Sequence, residues 1–563
     1  MLNPAGDDPR RIHSDAIIRG VSPTPRNIDF FNKLITLYSA ADLQSSSLRL
    51  FLSIPCPNAV TFTSIISAFS ESPPAAVSLF RSMLRHPRRP LPNPRTFAVL
   101  LKTCAAAAAA AIAVGPQLHS LSLKLASYDN PFVGSALVSL YCKTPDADSA
   151  RQVFDEMSGP DGFCYAAVIN GLARNDRPLD ALGYFSEMRN RDVGSSFHSV
   201  SGALRAASTA AMLDQCTVIH GHAAVIGMDS ETHVGTALID AYGKCGLVDD
   251  ARKLFHQLED SDHDNLAAWN SIMAAYAQQG DHQTATELFT SMETRKLNPD
   301  PYTFLAILTA LCNASMAAET QTWLEAMKSQ YAMEPHIQHY TCLVAALARS
   351  GRSEEAENLV LSMPHEPDAA VWRTLLSAED KNPERALRIS EKLLEINPND
   401  DSAYVILANA LSRAGRTEEV RRVRKAMRET GVRKDVGRSW IEVRGTVHAF
   451  FSGDARHPRN GEIRGKVAEL RAKVGEESST GEDDDGGGTV WEHSERLAVA
   501  FGLLEGVTPA GKVVRVVKNL RMCGDCHVVF QCISRVEERE ILVRDAHRYH
   551  RFCNGRCTCG DSW

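Results

Sequence analysis

Along the first two thirds of the chain, apolar positions return at i, i+4 and i+7 rather than at alternate residues. Ala, an aromatic, then Met or Leu recur at Ala76/Phe80/Met83, Ala150/Phe154/Met157, Ala181/Phe185/Met188, Ala251/Phe255/Leu258 and Ala285/Phe289/Met292, with a weaker copy at Ala356/Val360/Met363. That spacing sets the three side chains on one helical face. The central positions step by 74, 31, 70, 34 and 71 residues, which fits units of 31 to 36 residues with two units in each large step. Another apolar segment precedes these helices, as in FFNKLITLYS, VGTALIDAYGKCG and YTCLVAALARSG. Each unit therefore reads as helix, short polar turn, helix. A lone hairpin leaves its apolar stripe open, so the units must stack. The expected fold is an α-helical solenoid of helix-turn-helix repeats.

The register gives ten units after an unassigned segment 1–27: 28–58, 59–93, 94–130, 131–161, 162–196, 197–231, 232–265, 266–300, 301–336 and 337–368. Two degenerate hairpins follow, 369–401 and 402–435. From residue 436 the pattern changes. VGRSWIEVRGTVHAFFSGDARHP (436–458) alternates like short strands, 459–474 is helical, and SSTGEDDDGGG (478–488) is a loop by composition. His493-Ser494-Glu495 then opens the apolar helix RLAVAFGLL, and KVVRVVKNL reads as a strand. Residues 436–563 are thus expected to form a separate α/β domain.

Composition narrows the chemistry. A net charge of -7 argues against a large basic field and leaves room for a local basic groove. The longest unbroken small-apolar tract, Ala105 to Val114, is too short to span a bilayer, so no membrane association is expected. Asp7, Asp8 and Asp15 among the arginines of residues 1–26 fit a transit peptide poorly, and no apolar secretory core is present. Of 14 cysteines, six fall in the last 41 residues (Cys523, Cys526, Cys532, Cys553, Cys557 and Cys559). The rest lie singly in helical patterns, where a free cysteine behaves as a small hydrophobe. Clustering of this kind points to metal rather than to a disulfide framework.

His-x-Glu followed 28 residues later by Cys-x-x-Cys is the arrangement of zinc nucleobase deaminases. His493, Cys523 and Cys526 would fill three tetrahedral zinc positions and leave the fourth for a water whose pKa zinc lowers. Glu495, beside the metal and not bound to it, would carry the proton. Cys557 and Cys559, one residue apart, cannot complete a tetrahedral site alone. His527 and His550 are the natural partners, giving a closed structural zinc and an expected two zinc ions per chain.

Several motifs carry a family resemblance. The aromatic-Asn-x-Leu-Ile starts, the KCG turn at Lys244 to Gly246 and the ending Asn298 to Asp300 resemble pentatricopeptide repeats. The alternation of regular, long and short units resembles the plant subclass built from such triplets, and 369–435 resembles its extension motifs. HSERLAVAFGLL, VVKNLRMCGDCH, REILVRDAHRYHRF and the terminal CTCGDSW resemble the DYW deaminase domain of plant organellar RNA editing factors. Departures are Asp561-Ser562-Trp563 for the closing Asp-Tyr-Trp, Val436-Gly437 for Pro-Gly before SWIEV, and the short acidic region before His493.

The resemblance implies the same two ligand sets and the same role for Glu495. It also implies that each unit reads one base with the residue after its first-helix aromatic and with its own last residue. Those pairs are Asn32/Asn58, Thr63/Asn93, Ser135/Asp161, Thr236/Asn265, Asn270/Asp300 and Thr341/Asp368, whereas Ala166/Ser196 and Leu305/His336 carry no clear code. The family code reads Thr or Ser with Asn as adenine and with Asp as guanine, Asn with Asp as uridine, and Asn with Asn as a pyrimidine. With the edited base four nucleotides beyond the last short repeat, the implied target is 5′-Y-A-N-G-N-N-A-U-N-G-N-N-N-C-3′. Single-stranded organellar RNA is the implied partner, with accessory editing-factor proteins beside it, in a mitochondrion or chloroplast. The expected activity is site-specific cytidine-to-uridine editing. The alternative is an RNA-binding factor for transcript cleavage, maturation or stabilisation without deamination.

Overall fold

The structure is a computed structural model describing residues 8–125, 130–144, 146–259, 265–379, 382–475, 490–506, 513–546 and 548–559. The loop 478–488 and the closing Asp561-Ser562-Trp563 lie outside these residues. The chain divides into two compact units, Met1–Thr209 and Ala210–Trp563. The division falls inside the sequence unit 197–231, not at 368 or 435. Contacts between the segment from Ala210 and the C-terminal strands, described below, explain why residues beyond 209 belong with the domain at the far end.

In the first unit, helix Pro9–Ile18 packs on Ile28–Ala40, and first helices follow one another as Ile28–Ala40, Ala59–Ala68, Pro94–Ala105, Pro131–Tyr141, Gly162–Arg174 and Phe197–Thr209. In the second unit the same succession runs through Thr232–Lys244, Leu266–Gln279, Pro301–Asn313, Ile337–Arg349, Ala369–Leu376 and Asp401–Arg413. Within each unit, successive first helices pack on one another, and every first helix except Phe197–Thr209 packs on its own second helix, so neighbouring hairpins cover one another's apolar stripes.

Local chemistry explains where these helices begin and end. Asn58, Asn93, Asp161, Asn265, Asp300 and Asp368 are N-caps, each accepting a backbone N–H of the helix it precedes. After the first helix the chain turns through the left-handed region at Asp42, Asp176, Ala211, Gly246, Gly280, Ser315, Gly351 and Gly415. All six Ala/aromatic/Met-type triplets are buried. Four of their aromatic rings meet an aromatic of the following first helix edge-on: Phe80–Phe97 at 6.0 Å, Phe154–Tyr165 at 4.9 Å, Phe255–Trp269 at 4.9 Å and Phe289–Phe304 at 5.7 Å. Such contacts add about 1 kcal/mol each to area burial and join neighbouring repeats.

The C-terminal region is a mixed sheet with helices. Its strands are β1 (Arg438–Val443), β2 (Thr446–Phe451), β3 (Val514–Lys518), β4 (Ile541–Arg544), β5 (Tyr549–Cys553) and β6 (Arg556–Cys557), in spatial order β2-β1-β3-β4-β5-β6. Only β3 and β4 run parallel, and helix Gly524–Val536 supplies the crossover between them that parallel strands need. Helices Asn460–Val474, Ser494–Leu504 and Gly524–Val536 share a core with the sheet built on Val516, Phe501, Phe530, Val543 and Phe552.

Candidate metal centres and nucleic-acid interface

Two helix starts and a strand end build the first centre. His493 stands at the N-cap position of Ser494–Leu504, Cys523 at that of Gly524–Val536, and Cys526 in the first turn of the latter. The ligand atoms of His493, Glu495, Cys523 and Cys526 all lie within 4.8 Å of one another. His493 Nδ1 is 3.5 Å from Cys523 Sγ and 3.4 Å from Cys526 Sγ. A tetrahedral zinc, bonded at ~2.3 Å to sulfur and ~2.0 Å to nitrogen, would hold these donors about 3.5 Å apart. The donor set fits a zinc ion. The Cys523 thiol is drawn down to about 4, chiefly by the Cys526 thiol that donates to it, while burial acts in the opposite direction.

Glu495 is fully buried. Burial pushes its carboxyl up, but the Lys518 ammonium, in direct contact, outweighs that and holds it near 2, so the group is a carboxylate. Lys518 ends β3 and is itself buried, with burial opposed and overcome by Glu495. Ser494 Oγ donates to Glu495 Oε2 at 3.2 Å and meets Ser439 Oγ of β1 at 2.9 Å. Arg496 Nε donates to Cys526 Sγ at 3.1 Å, and its guanidinium sits over the Trp491 ring. Lys518, Ser494, Ser439 and Arg496 were not singled out by motif spacing. A lysine at the buried end of the strand VRVVK was the one signal that pointed to any of them.

The second group joins helix Gly524–Val536 to the β5–β6 hairpin. Ligand atoms of His527, His550, Cys557 and Cys559 lie within 4.8 Å of one another. His527 Nε2 is 3.1 Å from Cys559 Sγ, and His550 Nδ1 is 3.8 Å from Cys557 Sγ, which brackets the tetrahedral separation. His550 Nε2 contacts Asp545 Oδ2 at 3.3 Å, the carboxylate support that orients ligating imidazoles. Asp545 is fixed in turn by the backbone N–H groups of Met522 and Arg548.

The reading pairs divide. Asn270 Nδ2 donates to Asp300 Oδ1 at 3.0 Å, and Asn265 Nδ2 to Thr236 Oγ1 at 3.1 Å. Thr63 and Asn93 meet through Thr96, whose Oγ1 is 2.7 Å from Thr63 Oγ1 and 3.0 Å from Asn93 Oδ1. Ser135 and Thr341 donate to carbonyls of their own helices, Phe132 and Ile337, and Asp161 and Asp368 cap the helices that follow. Asn58 caps likewise, through Thr61. Asn32 and Thr63 are buried rather than open on a face, because the next first helix covers them. Neither polar atom of the Asn32 amide has a partner among the described residues.

Residues 471–563 match the DYW family of nucleic acid deaminases, 381–442 the E motif, 264–313 the PPR repeat family, and 163–193, 236–263 and 339–366 the PPR repeat. Over 94% of this chain and 84% of its own length, the pentatricopeptide repeat-containing protein At2g03880, mitochondrial, of Arabidopsis thaliana is 33% identical. The chain belongs to the pentatricopeptide repeat family. Another family member, At2g02980, chloroplastic, is 34% identical over 95% of this chain and 90% of its own length. At4g33170 is 35% identical, and this chain spans 51% of it. The maize pentatricopeptide repeat protein PPR10, solved with an 18-nucleotide psaJ RNA element, shares the helical-repeat fold at a TM-score of 0.54 and 20% identity, over 71% of this chain and 60% of that one. This pentatricopeptide repeat protein therefore carries repeats, an E motif and a DYW-type deaminase domain. Among the described residues, no helix is long and apolar enough to cross a membrane.

Proposed function

We propose that the chain binds single-stranded organellar RNA through its repeats and converts one or a few selected cytidines to uridine by zinc-dependent hydrolytic deamination. The observation that carries the reading is the convergence of one imidazole and two thiols, with a buried carboxylate beside them. A zinc ion held by His493, Cys523 and Cys526 supplies Lewis-acid activation of water. Glu495, kept ionised by Lys518, accepts the water proton as oxygen adds to C4 of the base and passes it to N3. It then takes the proton of the new C4 hydroxyl and delivers it to the amine, which leaves C4 as ammonia while the C4 carbonyl forms, so cytidine and water become uridine and ammonia. His527, His550, Cys557 and Cys559 would hold a second, structural zinc that pins the β5–β6 hairpin to helix Gly524–Val536.

The caps support base reading at the repeat ends. Each cap uses Oδ1 on the backbone, which leaves Oδ2 of Asp, Nδ2 of Asn93 and the second Nδ2 hydrogen of Asn265, whose first goes to Thr236, for a base. An amide nitrogen donates to N1 of adenine, and a carboxylate oxygen accepts from N1–H of guanine or N3–H of uridine. That difference is the physical content of the code and of the target proposed from it. The mitochondrial and chloroplastic relatives support an organellar location for this chain.

Incubating the zinc-loaded protein with a synthetic RNA of the implied sequence tests the reading. The final C should become U, and Glu495→Ala should abolish conversion, with RNA affinity and zinc content unchanged. Conversion that survives Glu495→Ala refutes the assignment. RNA binding without conversion in the wild type favours a factor acting in cleavage, maturation or stabilisation.

A further inference from the structure

The deaminase domain does not hang free of the repeats that precede it. Helix Leu213–Val225 begins at Met212, a residue that supplies no side-chain cap. The cap comes instead from Glu442 of β1, whose two oxygens accept the N–H groups of Asp214 at 2.8 Å and Gln215 at 3.3 Å. Asp214 answers by accepting the N–H of Gly445 in the β1–β2 turn at 3.1 Å. A carboxylate meeting orphan N–H groups at a helix start is favoured by both hydrogen bonding and the helix dipole.

Further contacts repeat the logic at the other pole of the repeat helices. The carbonyl of Ala210, in the turn before that helix, accepts Trp440 Nε1 at 2.8 Å. Lys244 ends one first helix and its carbonyl accepts the Tyr549 hydroxyl. Asn313 ends another and accepts Arg548 Nη1 at 3.2 Å, and Ser377, C-cap of Ala369–Leu376, accepts Arg521 Nη1 at 3.4 Å. Helix C-termini leave carbonyls without partners, so successive turns offer a row of acceptors at repeat spacing. At Gly246, φ +78° already favours glycine, and a Cβ would lie 2.5 Å from Leu542 Cδ2. The row has a direction. Arg521, two residues before Cys523, sits against the hairpin that follows the last repeat, whereas Trp440 and Glu442 sit five repeats earlier.

We infer that this docked edge is a ruler: Trp440 and Glu442 are positioning residues that hold the catalytic centre at one offset from the base-reading repeats and so select which cytidine is converted. The inference rests on the deaminase reading above. A tether alone would let the centre sample several neighbouring nucleotides, while a docked domain restricts it to one.

The test uses the full chain loaded with zinc and a set of synthetic RNAs in which the sole cytidine stands at successive offsets beyond the recognised stretch. Wild type should convert one offset strongly. Glu442→Ala, and independently Trp440→Phe, which keeps the ring and removes the N–H, should lower the ratio of that offset to its neighbours about tenfold with RNA affinity and zinc content unchanged. A merely destabilised enzyme would lose activity at every offset without changing the ratio. Hydrogen exchange at the amides of Asp214 and Gln215 should be slow in wild type and fast in Glu442→Ala. An unchanged ratio in both variants overturns the inference, as does equally fast exchange in wild type. Wild type that converts no cytidine at any offset, with slow exchange at both amides, overturns the deaminase reading instead and takes the ruler with it.

Discussion

At the scale of single residues, the pairing of Glu495 with Lys518 makes the tightest demand. Removing one member of a buried ion pair leaves an uncompensated charge, at a cost of about 3–5 kcal/mol. Lys518→Met should therefore destabilise the metal-free protein by about that amount in urea unfolding, and by less when zinc supplies positive charge beside Glu495. Equal losses in both states would show that the lysine does not compensate the carboxylate. Asp545→Asn, which weakens the support of His550, should lower affinity for the second metal about 10–100-fold in chelator competition and leave the first site unchanged. Selective loss at the first site would contradict the ligand grouping. Residue spacing pointed to both candidate ligand sets, whose side chains the fold brings together, because their members stand near helix starts and in one hairpin. Lys518 and Arg496 stayed hidden because their partners lie 23 and 30 residues away, joined by sheet packing that no local period encodes.

At the scale of elements, one residue performs two tasks. Asp300 caps Pro301–Asn313 and touches Asn270, so its identity is constrained by helix geometry before any base arrives. Asn and Asp cap about equally well. Asp300→Asn should accordingly leave thermal stability nearly unchanged while exchanging a free acceptor for a donor. The preference for uridine at the facing nucleotide should relax by about tenfold and admit cytidine, read from binding to two RNAs that differ at that position. An unchanged preference would reduce the residue to a cap. The repeat helices were legible because Ala, an aromatic and Met recur at helical spacing, and caps mark the starts. Burial of Asn32 and Thr63 was not legible, since it depends on how closely the next first helix approaches.

At the scale of the whole molecule, selection and chemistry reside in different parts of one chain, so each should be removable alone. Their docking could not be read from the sequence. Glu442 lies 228 residues from Asp214 and Tyr549 lies 305 from Lys244, and the groups of the C-terminal region that reach the repeats follow no period. The same contacts set the division at Ala210, which no local pattern marks. Metal occupancy is the property on which the chemical half of the account stands. Native mass spectrometry of the intact protein should find two zinc ions per chain, falling to one in Cys523→Ala with the fold retained. Wild type without zinc, or a Cys523→Ala variant that still holds two, would contradict it.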